Sequence, residues 1–112
     1  MKYRVKFLPR ANADVRQMLR YLSERAPQGA SAWLSALDRA IIRLQEGADT
    51  FSEALESDHF EVDLRQLLFK TRRGLVYRLI YTIAGDEVRI LRVRGPGQAP
   101  VDPEDADSRS NR

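Results

Sequence analysis

Seven cations recur along LLFKTRRGLVYRLIYTIAGDEVRILRVRGPG, residues 67–97 of this 112-residue chain, among them Lys70, Arg72, Arg73, Arg78, Arg92 and Arg94. Their chemistry is anion recognition, because a guanidinium donates paired hydrogen bonds that match a phosphate or a carboxylate. Arg78 lies inside the apolar run VYRLIY. A long cation in that setting must reach water, pair with an acid or bind something anionic. Arg92 and Arg94 are two apart near the end of a strand, so they point the same way. With Lys70, Arg72, Arg73 and Arg78 they form a predicted partner- or nucleic-acid-binding set lining a shallow basic concavity. A competing reading pairs Arg78 with the acidic stretch 45–63, through Glu56 or Asp58, and leaves Arg72 and Arg73 as a solvated turn.

Other chemistries are excluded by composition. The absence of cysteine rules out disulfides, thiolate catalysis and cysteine-held zinc, and the single histidine, His59, cannot form a histidine metal cluster. No metal or cofactor is expected, and no catalytic residue is assigned.

Charge is segregated although the net value is only +3. Residues 1–44 carry nine Lys/Arg and three Asp/Glu, residues 45–63 carry seven acids and no Lys/Arg, and residues 64–98 carry eight Lys/Arg against Asp86 and Glu87. Two basic blocks therefore flank an acidic one, a field that favours an anionic partner. The length fits one domain. No run of about 18 apolar residues exists to span a membrane, and MKYRVKFLPRANAD lacks the apolar stretch of a signal peptide. A cytoplasmic location is the expectation.

The elements that must position the cations are legible in the hydrophobic pattern. KYRVKFL alternates strictly, with Tyr3, Val5 and Phe7 on one side, which predicts a half-buried strand ended by Pro9. Val15, Met18, Leu19 and Leu22 form one stripe of a helix over about 11–25, with Asn12 as the expected N-cap and Pro27 and Gly29 as its stop. A second helix is predicted over 30–46, with Trp33 or Leu34, then Leu37, Ile41 and Leu44 facing the core and Gly47 at its end. Residues 47–63 read as a polar loop. Strands are predicted at 64–70, 75–83 and 87–94, the last two joined through Ala84-Gly85-Asp86. Strict alternation in the last strand puts Leu91 and Val93 with Arg89, and Val88, Ile90, Arg92 and Arg94 on the opposite side. The predicted fold class is α+β, ordered β-α-α-β-β-β, a mostly antiparallel small sheet packed on an N-terminal helical hairpin with its other face wholly or partly open. Residues 1–98 form the domain, and 99–112, nearly free of apolar residues, read as a disordered tail.

The pattern LR…LLF…G..YR.IY…GDEV.IL.VR.G, from Leu64-Arg65 through Gly95, resembles the RelE/ParE superfamily of toxins from bacterial type II toxin–antitoxin pairs. With the strand and helical hairpin ahead of it, the resemblance spans roughly residues 2–98. It implies a cognate antitoxin whose C-terminal segment wraps and blocks the toxin, in a hetero-oligomer. It also implies one of two activities: inhibition of DNA gyrase in the ParE-like, plasmid-stabilisation branch, or cleavage of messenger RNA on the ribosome in the RelE-like branch. The LRQLLF and ILRVRG segments look more ParE-like. In the RelE-like branch, cleavage is implied to run on lysines and arginines around the scissile phosphate with a C-terminal tyrosine. Arg78 falls on one such arginine position. The preceding strand, however, offers only Lys70, Gln98 stands near the expected arginine, and no tyrosine follows Tyr81. The expectation is thus a ParE-like toxin without enzymatic activity. The alternatives are an endoribonuclease or a non-toxic module that binds an antitoxin.

Overall fold

The computed structural model describes residues 2–71 and 75–103. Strand β1 (Arg4–Phe7) leads into helices α1 (Pro9–Arg25) and α2 (Pro27–Gly47), followed by strands β2 (Arg65–Lys70), β3 (Val76–Ala84) and β4 (Glu87–Arg94). The sheet order is β1-β4-β3-β2. β2, β3 and β4 run antiparallel, and β1 joins β4 in parallel, with Arg4 opposite Glu87 and Phe7 opposite Ile90. The fold is α+β, as the pattern predicts, and all three C-terminal strands stand within a residue of their expected limits.

The helical hairpin is tighter than the sequence suggests. Pro9 and Pro27 each occupy the first turn of a helix, where proline's fixed φ fits and its missing N–H leaves nothing unsatisfied. Leu8, not Asn12, therefore caps α1; Asn12 reaches back to the Phe7 carbonyl at 3.5 Å. Pro27 opens α2 rather than merely closing α1, so the predicted break at residues 26–29 shrinks to Ala26. The Ala26 N–H donates to Leu22 O, while its carbonyl accepts from Gly29 and Ala30.

The main core lies between the hairpin and the inner sheet face. Trp33, Ala36, Leu37, Ala40 and Leu44 of α2 meet Leu67, Phe69, Tyr77, Leu79, Tyr81, Val88, Ile90 and Val93. The α1 stripe Val15, Met18, Leu19 and Leu22 seals one flank, and Tyr3, Val5 and Phe7 of β1 pack against it as the alternation predicts. Trp33 rather than Leu34 is the inward residue, its ring 6.0 Å from Phe69 and 5.7 Å from Tyr77. Tyr81 spans this core and donates its hydroxyl to the Ala48 carbonyl at 2.6 Å; burial pushes its pKa up to about 12.

Two features depart from the predicted alternation and openness. A bulge shifts the β3–β4 register between Ile80 and Tyr81: Ile80 faces Arg92, while Tyr81 faces Ile90. Leu91 is the extra residue, and beyond it the phase of β4 reverses. Val93 thus joins Val88 and Ile90 in the main core, whereas Leu91 joins Ile80 on the outer face. That outer face is covered. Leu8, Ala54, Leu64, Ile80, Leu91 and Val101 form a second apolar cluster, with Phe60 beside it. Residues 48–64 supply part of this cover and the segment after β4 supplies the rest.

The domain boundary at residue 98 therefore falls short. Val101 is 3% exposed and its N–H is hydrogen-bonded to Glu56, so the chain is ordered onto the sheet at that point. Val101→Ala removes two buried methyl groups and should lower stability by about 1.5 kcal/mol, at roughly 0.8 kcal/mol per buried carbon. Urea unfolding checks this; no change would mean residues 99–103 contribute nothing to the fold.

Candidate functional site

The basic surface is built where β3 and β4 lie side by side. Cross-strand pairing sets Arg94 opposite Arg78 and Arg92 opposite Ile80. Lys70 faces Val76 across the β2–β3 ladder, two residues along from Arg78, and is exposed. Arg72 and Arg73 lie outside the described residues.

This placement does not leave the arginines equally available. Arg78 pairs with Glu56 in a fork, Nη1 to Oε1 at 2.9 Å and Nη2 to Oε2 at 2.7 Å, with Gln66 Oε1 accepting a further bond at 3.0 Å. Glu56 is 1% exposed and also accepts the Val101 N–H at 3.0 Å. Burial pushes the Glu56 carboxyl up, but the Arg78 hydrogen bonds, the Val101 N–H and the arginine charge outweigh that and hold it below the ordinary glutamate range. The acidic loop therefore closes on the basic strand, and Glu56 rather than Asp58 is the partner.

Arg92 forms a second fork, Nε to Asp14 Oδ2 at 2.8 Å and Nη2 to Asp14 Oδ1 at 2.9 Å. The cause is topological. β1 ends at Phe7 and its ladder closes with Leu8 N–H on Ile90 O, so β4 runs on past its neighbour. A bare edge leaves backbone donors unpaired. Asp14 of α1 takes the place of the missing strand, accepting the Val93 N–H at 2.8 Å on the same Oδ2 that receives Arg92. Asp14 is a site residue that periodicity alone did not mark. Its signal is an acid within one turn of the apolar stripe of α1, where a solvated side chain would be usual.

Arg94 differs. Its Nε donates to the Ala99 carbonyl at 3.1 Å, and among the described residues it has no salt bridge. Partial burial and the nearby positive charge of Arg92 pull its pKa down. A cation held in a positive field gains more from an incoming anion than one already neutralised. Of the predicted set, Lys70 and Arg94 are thus the described cations not neutralised by a carboxylate, whereas Arg78 and Arg92 hold the domain together.

No helix among the described residues is long and apolar enough to cross a membrane. No group of three or more His, Asp or Glu among them gathers in a way that could hold a metal ion.

Comparison with known proteins agrees with the topology. A family model described as ParE toxin of type II toxin-antitoxin system, parDE, matches residues 5–100. Among solved structures, the chromosomal ParDE toxin–antitoxin system from P. aeruginosa contains a similar chain, at 20% identity and a TM-score of 0.62, with 84% of this chain and 96% of that one covered. No curated protein matches in sequence. The fold is that of a small toxin of the RelE/ParE kind. This chain belongs to the ParE toxin family of type II toxin–antitoxin systems.

Glu56→Ala and Arg78→Ala should each cost about 3 kcal/mol, since either leaves a buried charge unpaired. The double variant should cost less than the two together, with a coupling of about 1–3 kcal/mol in urea unfolding; additive losses would show the pair to be incidental. The depressed Glu56 pKa also sets a pH dependence. Its contribution is complete above the unfolded value of about 4.3 and is lost as pH falls through the folded value. Glu56→Gln should therefore flatten the acid loss of stability between pH 5 and 3 relative to the parent chain. An unchanged slope would remove Glu56 from acid unfolding.

Proposed function

We propose that this chain is a ParE-like toxin that acts without catalysis, by binding and inhibiting DNA gyrase, and that a cognate antitoxin neutralises it in a hetero-oligomer. Family membership supplies the toxin–antitoxin setting. The observation that carries the choice of branch is the state of Arg78. It stands on the arginine position implied for RNA cleavage, yet both terminal guanidinium nitrogens are engaged by a buried carboxylate and the face around it is covered by the chain's own loop and C-terminal segment.

Ribonucleolytic transfer needs a base for the 2′-hydroxyl, an acid for the leaving oxygen and cations free to meet the phosphate. Lys70 is the one lysine of β2, and no tyrosine follows Tyr81. A protein that works by binding needs none of these groups. It needs a stable surface with a few cations that no carboxylate neutralises, which exposed Lys70 and half-buried Arg94 supply.

With purified gyrase, the chain is expected to inhibit DNA supercoiling while leaving messenger RNA on translating ribosomes intact. Cleaved messenger with normal supercoiling would place it in the ribonuclease branch, and neither effect would make it a binding module only. Arg94→Glu should weaken the complex with gyrase or with the antitoxin on the order of tenfold, the scale of one charge-assisted hydrogen bond. Calorimetry on both complexes checks this, and equal affinities would take Arg94 out of both interfaces.

A further inference from the structure

A recess opens between α1 and the end of the sheet, where β3 begins and β4 gives way to the Gly95-Pro96 turn. One part, of about 440 Å³, has Gln17, Met18, Tyr21 and Gln98 in its lining. A second part, of about 370 Å³, adjoins it through the shared residues Leu22, Leu75 and Tyr77 and reaches Ala26 and Ala32 at the hairpin turn. Both apolar rim residues stand open to solvent: Leu75 is 51% exposed and Tyr21 is 49% exposed.

Local contacts fix these walls. The Arg25 guanidinium lies 3.8 Å from the centre of the Tyr21 ring and donates to Tyr21 O at 3.3 Å. At Gly95 a Cβ would come within 3.2 Å of Tyr77 Cε2, so glycine lets the turn lie on that ring, and the Gly95 N–H is held by Gln98 Oε1 at 2.5 Å. Asp14 is the one charged residue that lines either part, and both its oxygens are taken by Arg92 and the Val93 N–H. Tyr77 is 7% exposed, its ring stacked on Phe69 with centroids 5.5 Å apart. Its hydroxyl has no hydrogen-bond partner among the described residues. Trp33 Nε1 is the one fully buried side-chain nitrogen or oxygen among them in that state, so the Tyr77 hydroxyl still meets the opening. Burial, and secondarily the neighbouring Tyr21, push its pKa up, which keeps it a hydrogen-bond donor at neutral pH.

We propose that this recess is a binding site for a neutral aromatic small molecule with one hydroxyl or carbonyl group, which packs against Tyr21 and Leu75 and pairs with the Tyr77 hydroxyl. Size and lining both suit such a ligand: small-molecule sites are mostly apolar clefts with a few placed polar groups. Tyrosine rings favour a flat partner, through offset or edge-on contact. A nearly buried hydroxyl without a protein partner gains from a ligand that supplies one. Charge is selected against. With Asp14 already satisfied and no cation in the lining, a phosphate or a carboxylate loses its hydration here and meets no counter-charge. The site is independent of the gyrase reading, since neither Lys70 nor Arg94 lines it.

The probes are p-cresol, toluene and p-toluate, each titrated into the full chain and followed by amide shifts. For p-cresol, saturable shifts centred on Tyr21, Leu22, Leu75 and Gly95 are expected, with a dissociation constant on the order of 1 mM, the scale for so small a ligand. Toluene should bind about fivefold more weakly, the worth of one neutral hydrogen bond, and p-toluate about tenfold more weakly for want of a counter-charge. Tyr77→Phe, first shown by circular dichroism to be folded, should bring p-cresol down to the level of toluene. Leu75→Glu, at an exposed position, should abolish binding of all three and decides the matter if the Tyr77 variant does not fold. No saturation at roughly 5 mM p-cresol, well above the expected constant, would overturn the proposal. So would shifts centred elsewhere, p-toluate binding as tightly as p-cresol, a folded Tyr77→Phe with unchanged preference for p-cresol, or Leu75→Glu binding like the parent chain.

Discussion

A buried carboxylate holds the outer half of this domain in place. Glu56 caps a single 3-10 turn, Ser57–His59, in the loop between α2 and β2 and is nearly inaccessible to water. Taking a glutamate out of water is costly unless its oxygens are fully used. Here the two oxygens receive a forked guanidinium from β3 and a backbone N–H from the segment after β4. Three parts of the chain distant in sequence are thereby fixed at one point, and the second apolar cluster closes around it. Without that node, Ile80, Leu91 and Leu64 would face solvent on a sheet with only one covered side.

The same logic recurs on the opposite flank, where Asp14 joins α1 to the unpaired end of β4 through Arg92 and Val93. Two arginines that resemble ligand-binding groups in one dimension are consumed by the fold's need to finish a sheet edge and to cover a sheet face. Among the described residues, Lys70, Arg94 and the exposed α2 residues Arg39 and Arg43 are in no salt bridge.

Most of the scaffold could be read from periodicity. The three C-terminal strands, the inward stripe of α1 and the Trp33 stripe of α2 each follow one regular rule, and each is found where that rule puts it. The failures have specific causes. Pro27 reads as a stop because it ends the preceding helix, but proline also starts helices, and only the position of Ala26 shows that it does both. Val93 reads as sharing a face with Leu91 and Arg89, opposite Val88 and Ile90, because alternation has no means of registering the extra residue at Leu91. Val101 reads as tail because one apolar residue among APVDPEDAD carries no pattern. The spacing of Arg92 and Arg94 puts them on one side of β4, and the register that brings Arg78 opposite Arg94 comes from the ladder. Their neutralisation depends on acids far away in sequence, at Asp14 and Glu56, and pairing over such distances leaves no local trace.

The parallel ladder between β1 and β4 has a consequence for the order in which the molecule comes into being. β4 is the strand that both β1 and β3 must flank, yet it is the last of the elements in the chain. The first strand has no ladder to join, and Tyr3, Val5 and Phe7 no finished core to enter, until everything else has been synthesised. Contacts between such remote segments close slowly because the intervening chain must be ordered first. A nascent chain with this connectivity cannot complete its sheet until the final strand is there to slot between its neighbours.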